Sequence, residues 1–142
     1  MPPLVLVCLG GRLEAQAPRL EQPSGRGAAV ILVEFFADIG SGRCGLEALD
    51  IHIAAHFASE IDEDAIRVLR TNHPDIEFLE DVCGVGAEVV ERISSSHPSA
   101  HVVLLAGPPC VDVSRLKANR QGAHAPQSGL HTQVQRIYHL LL

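Results

Sequence analysis

The four residues Gly107-Pro108-Pro109-Cys110 carry the sharpest chemical signal in this sequence. They follow HVVLLA, an apolar run typical of a buried strand. Two prolines restrict the backbone directly after that strand, so the next side chain is held in a fixed place. That side chain is a thiol, and a thiolate presented in this way is a nucleophile suited to covalent catalysis. Cys110 is therefore the candidate catalytic residue, and the alternative is a small apolar side chain in a turn.

A second set of residues indicates a nucleotide-type ligand. The run Gly40-Ser41-Gly42-Arg43-Cys44-Gly45 has GxGxxG spacing, in which glycines let the backbone approach a ligand and the next helix offers free N–H groups. Glu60 occurs where Rossmann folds place an acid that accepts hydrogen bonds from ribose hydroxyls. Asp81 adds an acceptor for an adenine amino group. These residues alone do not separate a nicotinamide cofactor from S-adenosylmethionine, and a tight turn without a ligand is the other alternative.

The elements that must position these residues alternate between strand and helix. Strands are predicted at 29–36, 52–59, 76–79 and 101–106. Helices are predicted near 43–50, from an N-cap at Asp62 to about 73, at 88–95 and at 133–142. This alternation with short links predicts an α/β fold with a parallel, doubly wound sheet. Ligands of such sheets bind beyond the carboxyl ends of the strands, where the candidate residues fall.

The composition fits one intracellular domain. At 142 residues the chain has room for a single domain, here 29–142, and the four prolines in 1–28 predict a poorly ordered leader. No apolar run approaches the roughly 18 residues that a membrane helix needs. The four cysteines form no CxxC pair, which favours reduced thiols, and Cys44 and Cys83 are expected to be small buried residues.

Charge is distributed unevenly along the chain. Residues 1–110 carry seven basic and sixteen acidic side chains, whereas 111–142 carry four basic side chains and Asp112 alone. A basic segment on an acidic body favours contact with nucleic acid, although a basic surface loop would look the same.

Three motifs in a fixed order resemble those of the DNA (cytosine-5) methyltransferases. FFADIGSG at 35–42 is similar to the first cofactor motif, FASEID at 57–62 to the second, and Pro108-Pro109-Cys110 to the catalytic Pro-Cys motif. The later runs VDVS, QG and SGL, at 111–114, 121–122 and 128–130, are similar to the catalytic loop and following helix of the animal-type de novo subgroup. Order and spacing agree over about 29–142, which makes the resemblance specific.

The resemblance implies a Rossmann-like methyltransferase fold that uses S-adenosylmethionine to methylate C5 of cytosine in DNA. It implies that Cys110 attacks C6 of a flipped-out cytosine and that Glu60 binds the cofactor ribose. The cofactor site would be formed by Phe36, Asp38, Ile39, Gly40, Glu60, Ile61, Asp81, Val82, Pro109 and Leu130. The phosphate backbone would be contacted by Ser114, Arg115, Lys117 and Arg120. A DNA substrate would place the protein in the nucleus of a eukaryotic cell.

The sequence departs from the family pattern in three places. Asp38 stands where the family usually has glycine, and Val111 replaces a usual polar residue. No glutamate follows Cys110, so the Glu-Asn-Val motif is absent. We therefore expect a truncated sheet and an incomplete active site, which a partner chain would have to complete.

Three other functions stay open at this stage. An RNA methyltransferase of the same family, acting on transfer RNA, shares Pro-Pro-Cys. A non-catalytic, cofactor-binding or regulatory remnant would keep the glycine turn. A nicotinamide-dependent oxidoreductase explains Glu60 but leaves Cys110 unexplained. A metal site is not expected, because His52 and His56 fall on a predicted strand without further ligands at suitable spacing.

Overall fold

The computed structural model describes residues 4–8 (backbone only), 29–79, 81–109 and 128–142. The strands in these ranges are β1 (Leu4–Cys8), β2 (Val30–Phe35), β3 (Ile53–Ser59), β4 (Glu77–Leu79) and β5 (His101–Ala106). The helices are α1 (Ser41–Ala48), α2 (Glu63–Asn72), α3 (Ala87–Ser96) and α4 (His131–Leu141), with short 3₁₀ turns at Val82–Gly84 and Ser128–Leu130. No helix in the described ranges is both long and apolar enough to cross a membrane.

The sheet is parallel throughout, with the strand order β1-β5-β2-β3-β4. The chain starts its main fold at β2 in the middle, runs outward through β3 to β4, and then crosses back to β5 on the other side of β2. This order confirms the prediction of an α/β, doubly wound sheet. All five strands point the same way, so their carboxyl ends share one edge.

Side chains alternate between two apolar layers because successive residues of a strand point to opposite faces. On one face, β2 packs against α3 and α4 through Ile31, Val33, Phe35, Val90, Ile93, Val134 and Ile137. On the other face, which α1 and α2 cover, the buried or half-buried residues are Val30, Leu32, Leu46, Ala58, Leu69 and Val103. Full burial of one such side chain contributes about 1.5–3 kcal/mol.

Local signals determine where α2 begins and ends. The carboxylate of Asp62 accepts hydrogen bonds from the backbone N–H groups of Asp64 and Ala65, at 2.9 and 3.0 Å. This is the N-cap that the sequence predicted, and it satisfies N–H groups that have no partner within the helix. The helix ends at Asn72, with His73 as its C-cap, because Pro74 follows.

The amino-terminal segment differs from the expectation. Residues 1–28 were predicted to be a poorly ordered leader, but Leu4–Cys8 forms an edge strand whose residues pair in register with Val102–Ala106 of β5. The exposed edge of β5 offers a row of backbone hydrogen-bond partners, and pairing with them stabilises the strand. These partners are distant in sequence, so the proline-rich sequence around residues 4–8 does not reveal them. Two helices also begin about two residues earlier than predicted, α1 at Ser41 and α4 at His131.

Candidate functional site

A pocket of about 360 Å³ lies at the carboxyl edge of the sheet. It is lined by Phe36, Asp38, Ser59, Glu60, Ile61, Asp62, Asp81, Val82, Gly107, Pro109 and Leu130. The segments after β2, β3, β4 and β5 each contribute lining residues, and the turn before α4 contributes Leu130. The volume falls in the range of small-molecule and cofactor sites.

Eight of the ten residues predicted to bind a cofactor line this pocket, and Ile39 and Gly40 do not. Ile39 is 53% exposed beside it. Gly40 is the N-cap of α1 with φ of +83°, and a Cβ there would lie 2.7 Å from a methyl carbon of Leu69. Glycine is required at position 40 for backbone geometry and packing, so this residue shapes the site without lining it.

Sequence reasoning missed Ser59, Asp62 and Gly107, which also line the pocket. All three are immediate neighbours of predicted elements: Ser59 ends β3, Asp62 caps α2, and Gly107 follows β5. The rule that ligands bind after parallel strands already covers these positions. Their positions at the ends of predicted strands and at the start of a predicted helix are the sequence signal that marks them.

The turn between β2 and α1 has an unusual backbone. Phe36 and Asp38 have φ values of +58° and +48°, a region that costs residues other than glycine about 1–2 kcal/mol each. The backbone N–H groups of Phe36 and Ala37 both donate to the carbonyl of Ser59, at 2.9 and 3.3 Å. The surrounding structure thus holds this wall of the pocket in a conformation that a free chain would avoid.

Glu60, which follows β3, is hydrogen-bonded to the same turn. Its Oε2 accepts a hydrogen bond from the backbone N–H of Asp38 at 2.8 Å, and its Oε1 accepts from those of Ile61 and Asp62 at 2.8 and 3.0 Å. A carboxylate has about four acceptor positions, so Oε2 still has one to offer to a ligand hydroxyl. Glu60 is therefore both a structural clamp and a possible ribose acceptor.

Charge in the pocket is wholly negative among the described residues. Asp38, Glu60, Asp62 and Asp81 line it, and no lysine or arginine does so in the ranges that the structure describes. A phosphate-bearing ligand would be repelled at short range by these carboxylates. The composition of the pocket therefore disfavours a nicotinamide dinucleotide, whose pyrophosphate carries two negative charges.

Arg136 of α4 connects two walls of the pocket. Its Nη1 donates to the carbonyl of Val85 at 2.8 Å and its Nη2 to that of Val82 at 3.3 Å, while its Nε donates to Gln133. Val82 lines the pocket, and so does Leu130 in the turn that leads into α4. In the sequence Arg136 looked like part of a basic surface, but its guanidinium is engaged with backbone carbonyls of the 3₁₀ turn and the residue after it.

Two cysteines differ from the expectation. Cys44 and Cys83 were predicted to be buried, but both are exposed. Desolvation and the hydrogen bond to Asp81 raise the pKa of the Cys83 thiol above its usual value, so less of it is thiolate at neutral pH. A short α1 that buries none of its residues explains the exposure of Cys44.

The predicted nucleophile and the predicted phosphate contacts lie outside the described residues. These are Cys110, Ser114, Arg115, Lys117 and Arg120. The structure does describe Pro109, which directly precedes Cys110 and lines the pocket. The catalytic role of Cys110 and the contacts of the basic residues stay predictions.

A buried ion pair and a partly exposed one lie behind the β2–α1 turn. His56 of β3 pairs with Glu34 of β2, and Arg43 of α1 pairs with Asp75 and Glu47 at 2.9 and 2.8 Å. Desolvation opposes the charge on the Arg43 guanidinium, but hydrogen bonds and Coulomb attraction to Asp75 and Glu47 together outweigh it and raise the pKa of Arg43. The hydrogen bond from Arg43 lowers the pKa of the Asp75 carboxyl group. No group of three or more metal-binding side chains is suitably placed within the described part of the chain.

The fold and the pocket define a class of protein, the α/β proteins that bind a ligand at the carboxyl edge of a parallel sheet. The family model of the C-5 cytosine-specific DNA methylases matches residues 30–139, which cover β2 to β5 and every residue that lines the pocket. The chain belongs to this family. A search of curated proteins found no match.

Proposed function

We propose that this chain carries the cofactor site and the nucleophile of an S-adenosylmethionine-dependent DNA (cytosine-5) methyltransferase. One observation supports this most strongly: in a member of the C-5 cytosine methylase family, one pocket collects residues from the ends of β2, β3, β4 and β5. The similarity of residues 111–130 to the animal-type de novo enzymes further supports membership of that subgroup.

The pocket residues fit this cofactor in shape and in charge. Oε2 of Glu60 keeps an acceptor position for a ribose hydroxyl, and Asp81 is available to an amino group of the base. Phe36, Val82 and Leu130 provide apolar surface for a flat ring. When bound, the cofactor would supply an electrophilic methyl group, and Pro109, which lines the pocket, directly precedes the proposed nucleophile Cys110 in the sequence.

Cys110 acts on the substrate base. Its thiolate adds to C6 of a cytosine that has left the base stack, and the electrons of the C5–C6 double bond shift through C5 and C4 toward N3, which makes C5 nucleophilic. C5 would then take the methyl group, with the thioether of the demethylated cofactor as the leaving group. C5 would lose its hydrogen as a proton to solvent, and the bond between Sγ and C6 would break. The thiolate is regenerated, so the cysteine is unchanged after one turnover.

Titration calorimetry with the folded chain tests the cofactor assignment. We expect S-adenosylmethionine to bind, NAD not to bind, and Glu60→Gln to weaken binding about tenfold, because a charged acceptor is lost. Glu63→Gln is the matched control, since Glu63 is exposed on α2 and does not line the pocket. Binding that survives Glu60→Gln unchanged, or a preference for NAD, would overturn the assignment.

A further inference from the structure

We propose that Asp38 makes the pocket selective for ligand charge, so that the sulfonium methyl donor binds more tightly than its demethylated product. S-adenosylmethionine carries a net charge of +1 at neutral pH, whereas S-adenosylhomocysteine carries none. The two molecules otherwise present the same ribose, base and amino-acid groups. The inference rests on the proposed function and adds to it a residue that distinguishes substrate from product.

Three of the four carboxylates in the pocket are already occupied by backbone donors. Glu60 accepts three N–H groups, Asp62 accepts those of Asp64 and Ala65 at the start of α2, and Asp81 accepts that of Cys83. Each of these bonds disperses negative charge into the backbone. Their contribution to the potential of the pocket is thereby reduced.

The carboxylate of Asp38 differs from the other three. Its backbone N–H donates to Glu60, but its side chain forms no hydrogen bond or ion pair with any residue in the described part of the chain. No lysine or arginine in that part lines the pocket to neutralise it. Asp38 is thus the pocket carboxylate whose charge remains available to a ligand.

The backbone at Asp38 supports a role for its side chain. With φ of +48°, this position suits glycine or asparagine better than aspartate, and the turn is held by Glu60 and by the carbonyl of Ser59. Residues in such strained conformations cluster at ligand sites, where the surrounding structure over-determines them. The geometry of the turn does not require a negative side chain at this position, which supports a role for the charge in ligand binding.

The test is calorimetric titration of the chain with S-adenosylmethionine and with S-adenosylhomocysteine, compared between wild type and Asp38→Asn. Asparagine tolerates the left-handed backbone and has the same size, so this variant removes the charge alone. Asp50→Asn is the matched control, because Asp50 is also an exposed aspartate with positive φ, +57°, but does not line the pocket.

We expect wild type to prefer the donor over the product by about three- to tenfold, the effect of one exposed charge at short range. Asp38→Asn should abolish that preference because it weakens binding of S-adenosylmethionine more than binding of S-adenosylhomocysteine, whereas Asp50→Asn should keep the preference. The preference of wild type should also shrink as salt rises from 10 mM to 1 M.

Three results would overturn the proposal, and they are distinguishable. If both ligands bind and the preference is the same in Asp38→Asn and wild type, the proposal about Asp38 is wrong but the proposed cofactor site is supported. If neither ligand binds wild type, the proposed function fails and the selectivity fails with it. The salt titration uses wild type alone, so a preference that does not shrink as salt rises would overturn the proposal even if a variant does not fold.

Discussion

Oε2 of Glu34 and Nε2 of His56 lie 2.6 Å apart, and the two side chains are only 5% and 0% exposed. Glu34 is on β2 and His56 on β3, so the pair joins the middle strand to its neighbour on the face that α1 covers. In the described structure neither atom has a further hydrogen-bond partner. The pair lies behind the turn that forms one wall of the pocket.

Removing one member of this pair should destabilise the protein strongly. In His56→Ala the Glu34 carboxylate would stay buried without its partner, which costs about 3–5 kcal/mol in comparable pairs. Urea denaturation followed by circular dichroism measures the loss. Glu47→Gln is the control, because its ion pair with Arg43 is half exposed and should contribute less than about 1 kcal/mol. Equal decreases in the free energy of unfolding in the two variants would show that the buried pair contributes no more to stability than the half-exposed one.

Gly42 and Gly45, both in α1, should respond oppositely to alanine. A Cβ at Gly42 would lie 2.2 Å from Oε1 of Glu34 and 2.4 Å from a methyl carbon of Leu105, whereas nothing lies within 4 Å of a Cβ at Gly45. We expect Gly42→Ala to destabilise the fold by about 1–3 kcal/mol through overpacking. Gly45→Ala should stabilise it by about 0.5–1 kcal/mol, because alanine is the better helix residue. Thermal unfolding of the two variants checks the sign, and a stable Gly42→Ala would contradict the close contact.

Loss of Arg136 should weaken cofactor binding although its side chain does not line the pocket. Arg136→Met removes the bonds to the carbonyls of Val82 and Val85, and hydrogen bonds from a charged donor contribute about 1.5–3 kcal/mol. We expect both lower stability and weaker binding of S-adenosylmethionine, since the wall that carries Val82 loosens. Arg136→Lys should restore only part of the binding, because a lysine cannot make both bonds in fork geometry.

Gln135→Ala is the control for Arg136, as Gln135 is an exposed neighbour on α4. Binding should be measured by calorimetry at a temperature where every variant is folded. If Arg136→Met binds as wild type does while its unfolding temperature falls, the arginine serves the fold alone.

This chain by itself should methylate DNA slowly. In the proposed mechanism, attack of the Cys110 thiolate at C6 would push electrons toward N3 of the cytosine, where a proton donor would have to stabilise the developing charge. Residues 111–142 contain no glutamate, and Asp112 is the only acidic side chain among them. Removing one such stabilising group typically costs about 10²–10³-fold in rate.

Transfer of labelled methyl groups to duplex DNA by the purified chain measures this, with Cys110→Ala as the control. A second chain that supplies a suitably placed acid should raise the rate. Turnover at the speed of an ordinary enzyme, about 1 s⁻¹ or more, that disappears in Cys110→Ala would contradict the prediction.

Much of the fold follows from local sequence signals. Short apolar runs predicted four of the five described strands, and β5 coincides with the predicted 101–106 because five apolar residues follow His101 and turn residues flank the run. Asp62 was recognisable as a cap because its bonds reach only two and three residues along the chain. The clustering of Phe36, Glu60 and Asp81 at one edge followed from parallel strands alone.

Other features were decided by contacts between residues distant in sequence. Whether Glu34 meets His56 depends on the register of β2 with β3, and whether Arg136 meets Val82 and Val85 depends on how α4 packs beside α3. Leu4–Cys8 joins the sheet only because β5 leaves an edge for it. Local propensity and periodicity report on the few residues nearest in the chain. Ion pairs, carbonyl contacts and edge pairing gain their free energy across dozens of residues, and the tertiary structure is what brings those partners together.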